Sequence, residues 1–138
     1  ESYVRVTNDT NQSATYTLFA YVGPFDDNGE DANDAPTSAP NLSSLDQGAI
    51  ETLGDEDYYR VAVAGDLVFS ANGASSEIAS GLRAEVAKAD GTVLATLRPG
   101  QNYDRVIPGD TVRVFEDGND RAGAAAVSRY AVELIPAQ

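Results

Sequence analysis

Two short stretches carry most of the side chains that could do chemistry. Residues 29–39, GEDANDAPTSA, set Asp31, Asn33 and Asp34 among small residues and Pro36, with no large apolar side chain to join a core. Residues 54–57, GDED, set Asp55 and Asp57 two apart, just before Tyr58 and Tyr59. In an extended chain, alternate side chains share a face, so Asp55 and Asp57 point to one side. Carboxylate and amide oxygens suit a hard cation; calcium takes about six to eight of them. Carboxylates crowded together without a cation repel one another, and some have raised pKa values. Two readings follow. Either a cation is held between the two segments, or the first is a solvated acidic linker in a chain that is acidic everywhere. Asp26, Asp27 and Glu30 fit the linker reading. The run DDNGEDAND is not an EF-hand loop: its Gly falls at the fourth position and no Glu closes the loop.

Other chemistry is scarce. The 138 residues include no His and no Cys. That excludes Ser-His-Asp and Cys-His catalysis, imidazole and thiolate metal sites, and disulfides. Glu51, Glu77 and Glu85 are the carboxylates that could pair as in a glycosidase, but the chain has no Trp for a sugar platform. The chain therefore reads as non-enzymatic. Asn8, Asn11 and Asn41 each open an Asn-x-Ser/Thr triplet and are glycosylation candidates. The net charge of −13 disfavours nucleic acid and anionic membrane surfaces, which reward basic patches. Lys88 is the single lysine. Adaptation to high salt and a GC-rich genome explain that equally well. No apolar run of about 18 residues exists, so no helical segment is expected to enter a bilayer. No secretory leader is visible, and Glu1 is a poor natural start, so the chain is expected to be processed or excised from something longer.

The elements that must position these residues are strands. Period-two patterning runs through SYVRV (2–6), ATYTLFAYV (14–22), DYYRVAVA (57–64), DLVFSA (66–71), LRAEVAKA (82–89), TVLATL (92–97), YDRVI (103–107), DTVRVF (110–115) and RYAVELI (129–135). AGD (64–66), ADG (89–91) and PGD (108–110) have tight-turn chemistry. Residues 74–89 offer a weak helical alternative. Short strands at regular spacing predict an antiparallel β-sandwich. One of Tyr58 and Tyr59 should face the core.

The two ends resemble each other. SYVRVTND (2–9) matches DTVRVFED (110–117), and ATYTLFAYV (14–22) matches SRYAVELIP (128–136). This reads as an internal repeat cut out of phase. Residues 1–23 would be an additional N-terminal β-hairpin, and residues 24–138 a whole sandwich domain. An isolated hairpin is marginal in water. The hairpin would pack on its own domain, remain from an upstream one, or be exchanged with a neighbouring copy as an added strand.

DANDAPTSAPNL (31–42), GAIETLGDEDYYRVAVAGD (48–66), VAKADGTVLATL (86–97), IPGDTVRVFE (107–116) and SRYAVELI (128–135), in that order, resemble the bacterial pre-peptidase C-terminal domain family. The resemblance covers about residues 31–135, and Gly54-Asp55-Glu56-Asp57-Tyr58-Tyr59 is its most specific motif. DTVRV departs from the family's usual Gly-x-Tyr-Tyr, which puts a Tyr-lined binding surface there in doubt. The resemblance implies a jelly-roll-like β-sandwich, non-catalytic and extracellular or on the cell surface. Its relatives include the collagen-binding domains of clostridial collagenases. It implies calcium bound between the acidic lead-in segment and the Gly-Asp-x-Asp-Tyr motif, hence by Asp31, Asn33, Asp34, Asp55 and Asp57. The expected role is a structural, adhesive or assembly module, a filament subunit joined by β-strand exchange being one form of it, with other copies of itself, adjacent repeats or an extracellular polymer as partners. The alternative is an accessory substrate-targeting or secretion domain of a secreted peptidase.

Overall fold

The computed structural model describes residues 6–8, 13, 33–50, 54–72, 81–117 and 128–138. These hold nine strands and no helix: β1 (Asn41–Leu42), β2 (Leu45–Ile50), β3 (Glu56–Val61), β4 (Gly65–Ala71), β5 (Leu82–Ala87), β6 (Val93–Leu97), β7 (Asn102–Val106), β8 (Thr111–Glu116) and β9 (Ser128–Pro136). They form two sheets, one ordered β1-β3-β8-β5-β6 and the other β2-β9-β4-β7. The all-β sandwich is thus present. Its pairs are antiparallel except β1–β3, which is parallel. The expected hairpin over residues 1–23, its likeness to residues 110–136 and the division at residue 24 concern residues that lie almost wholly outside those described. Val6, Thr7, Asn8 and Ser13 are exposed and in no strand.

Alternation accounts for the core. Tyr59 and Val61 of β3, Leu82, Ala84 and Val86 of β5, Val112 and Val114 of β8 point into the sandwich from one sheet. Leu67 and Phe69 of β4 with Tyr130, Val132 and Leu134 of β9 meet them from the other. Arg83 and Glu85 take the opposite face from Leu82, Ala84 and Val86, so residues 82–87 are strand and the helical alternative fails there. Residues 74–80 of that alternative lie outside the described set.

Alternation alone missed β1 and β2. Asn41–Leu42 is too short to show a period, and LDQGAI places Asp46, Gln47 and Gly48 in a strand interior, all poor β-formers. Turn chemistry was right for Asp90-Gly91, where Gly91 donates to the Lys88 carbonyl at 2.8 Å. It was right too for Pro108-Gly109-Asp110, where Asp110 bonds the Ile107 amide at 3.0 Å. At AGD it was displaced: Gly65 opens β4 opposite Pro136, and the chain turns before it.

Candidate metal centre

β3 begins where two of the five expected ligands lie. Gly54 takes φ +100°, a backbone conformation open to glycine and costly for most other residues. The chain then runs extended through Asp55 into Glu56–Val61. The acidic segment is tied alongside: the Tyr58 amide donates to the Asn33 carbonyl at 2.8 Å, and the Arg60 amide to the Pro40 carbonyl at 2.8 Å. β1 continues this as the short parallel pair with β3. Backbone bonds therefore bring residues 33–42 against residues 54–61.

One carboxylate oxygen from each of Asp34, Asp55 and Asp57 lies within 4.8 Å of the others. Asp34 is exposed, Asp55 half-buried and Asp57 fully buried. The three span a path from solvent to core. This three-carboxylate cluster could hold a metal ion. Of the five expected ligands, Asp34, Asp55 and Asp57 are brought together. Asn33 reaches the same corner through its backbone carbonyl, which the Tyr58 amide occupies. Asp31 lies outside the described residues.

The inner wall of the corner has no counterpart in the sequence reading. The Tyr130 hydroxyl, from β9 in the facing sheet, donates to Asp57 Oδ2. With that proton so placed, the Tyr59 hydroxyl donates to the Tyr130 oxygen at 2.6 Å. The two rings meet edge to face with centroids 6.4 Å apart. Burial first, then the neighbouring Tyr59 and the Asp57 carboxylate, push the Tyr130 phenol well above its ordinary pKa. Tyr130 thus stays a proton donor at any ordinary pH.

Room for that hydroxyl comes from β2. Gly48 pairs with Tyr130, and a Cβ on it would stand 2.3 Å from the Tyr130 hydroxyl oxygen. The strand interior that looked weakest by propensity is therefore the one that leaves the space. A further buried acid closes this side. Glu116 accepts the Ser128 hydroxyl at 2.9 Å, and the β3–β8 register, continued back one residue from the Glu56–Phe115 pair, sets Asp55 across from it.

On the outer face of the same strand the charges are arranged differently. Arg113 of β8 lies between Glu56 and Glu85, at 3.1 and 3.2 Å, with its guanidinium 4.1 Å from the Phe115 ring centroid. Burial works against the guanidinium, but Glu85 and Glu56 outweigh it and hold its pKa above the ordinary value. Tyr58, on this face, is half-buried and donates to Glu56, while Tyr59 is core. Glu85 is therefore an ion-pair partner in a structural cluster. Glu51 and Glu77 lie outside the described residues. Asn8 and Asn41 are exposed, and Asn11 is not among the described residues.

No protein-family model matches the chain, and no curated protein is significantly similar to it.

Proposed function

We propose that this chain is a non-catalytic, calcium-stabilised extracellular β-sandwich module with a structural, adhesive or assembly role at the cell surface. The convergence of Asp34, Asp55 and Asp57 from two chain segments carries the reading. The donor set fits the ion: it is all carboxylate, the hard-oxygen chemistry that calcium takes and that softer transition metals do not favour. Asp34 and Asp55 would hold the cation from the solvent side and Asp57 from the core side. The ion would supply the positive charge that lets three carboxylates lie together. A composition without His or Cys supports a non-catalytic role. Other copies of the chain or adjacent repeats are the partners.

Calcium binding to the folded state alone should raise its stability by about 2.7 kcal/mol at a hundredfold excess over Kd. For a domain of this size that is about 10 °C in Tm. Calcium titrated into chelator-treated protein at modest ionic strength should show this rise, and magnesium a smaller one. Asp55→Asn should abolish it. A melting curve that calcium leaves unchanged refutes the calcium reading.

A further inference from the structure

Among the described residues the sandwich has four edge strands, and three are blunted by charge or by short length. β1 is two residues long. β7 carries the exposed Asp104 and Arg105, with Arg105 at φ +68° and a register shift against β4. β2 has Gly48 in its interior, and the Asp46 carboxylate accepts the Gln47 amide at 2.8 Å. Charges, irregular backbone and short length are the devices by which proteins keep edges from pairing. β6 is neither charged nor as short as β1; its one irregularity is a register shift against β5 at Val86/Ala87, which leaves Leu94 without an opposite residue. The strand is VLATL, five residues without a charge, and among the described residues it pairs on one side only, with β5. Val93 is 52% exposed and Thr96 is exposed, whereas Leu94 and Ala95 pack on the core.

The charges that bracket β6 are complementary end to end. Asp90 lies at the β5–β6 turn, its carboxylate accepting the Thr92 amide at 2.9 Å. That bond first of all holds the Asp90 carboxyl below its ordinary pKa. Arg98 follows the other end of the strand and is exposed. Lys88, Asp90 and Arg98 together bring two positive charges and one negative to an edge of a chain whose net charge is −13. Two copies approaching here meet less of their mutual repulsion than at an acidic edge. Only an antiparallel approach about a two-fold axis brings Asp90 of each copy toward Arg98 of the other.

We propose that β6 is a self-association edge, pairing antiparallel with β6 of a second copy to join two five-stranded sheets into one. A five-residue strand buries little surface, so the dimer is weak, with Kd of about 0.1–1 mM. The contact is isologous and closes at two copies.

The test is sedimentation of the full chain in chelator, so that it stands apart from the calcium reading, up to about 1 mM protein at about 0.15 M salt, where repulsion beyond about 8 Å is screened. A reversible monomer–dimer equilibrium is expected. Val93→Lys, an exposed substitution that leaves the urea midpoint unchanged, should abolish the dimer. Asp90→Arg and Arg98→Asp should each weaken it about tenfold, through two repulsive contacts, and the double swap should restore it. A chain that stays monomeric throughout overturns the proposal, as does a dimer indifferent to Val93→Lys. A double swap no better than either single one overturns it too. Open-ended growth beyond the dimer also overturns it, in favour of a strand donated from elsewhere in the chain.

Discussion

Glu56 and Asp57 are adjacent carboxylates on one strand, and they face opposite environments. Glu56 is on the outer face, about one-third exposed, with Arg113 beside it. Asp57 is fully buried, holds the Tyr130 hydroxyl and converges with two more carboxylates. The pleat alone separates them. Outside, a cation is built into the fold, and water screens what remains. Inside, the Tyr130 phenol donates to Asp57, and the three carboxylates form a cluster that could hold a metal ion. A residue's type therefore says little about its electrostatic role until its face is known.

Substitutions on the two faces should separate sharply. Asp57→Ala removes the acceptor of a buried hydroxyl and should cost about 3 kcal/mol, read as a fall in the urea midpoint. Asp57→Asn keeps an acceptor and removes the charge. In chelator it should cost less than Asp57→Ala, and it should lose the response to calcium. Equal losses for the two in chelator would mean that the hydroxyl bond matters little. Gly48→Ala forces the new methyl against Tyr130 and should cost about 2 kcal/mol by overpacking. A neutral outcome there would show that Tyr130 can leave Asp57 cheaply. On the outer face, Arg113→Ala should cost about 1 kcal/mol, with part of the loss from the Phe115 ring contact. Glu85→Gln should cost under about 0.5 kcal/mol, and added salt should erase the difference. If Glu85→Gln proved as damaging as Asp57→Asn, the contrast between the faces would fail.

The seven strands β3 to β9 were legible because Val, Tyr and Phe alternate there with polar residues. The pairing of the acidic segment with GDED came from the family resemblance; residue types alone left it open against a solvated linker. What was hidden depended on distant partners. Tyr130 is 73 residues from Asp57, and nothing in RYAVELI marks its hydroxyl as a partner for an acid. Nor could Gly48 be recognised as strand, because its tolerance comes from the tyrosine across from it. Period and composition reveal faces; they do not reveal which residue of a facing sheet fills a gap.

The strand order also governs how fast the chain can fold. Among the described strands, β5 and β6 are the one consecutive pair that hydrogen-bonds to each other; every other connection between them passes from one sheet to the other. A chain so connected cannot zip up hairpin by hairpin. It must close long loops before most of its contacts reward the lost entropy, which places refolding in the millisecond-to-second range of non-local β topologies. Among the described residues only the β5–β6 hairpin can form from local sequence, and its outer strand is the uncharged β6. The element able to appear first is thus the one with the stickiest edge. During refolding, nascent chains would meet through it before their cores have closed, and the yield of native protein should fall as the refolding concentration rises.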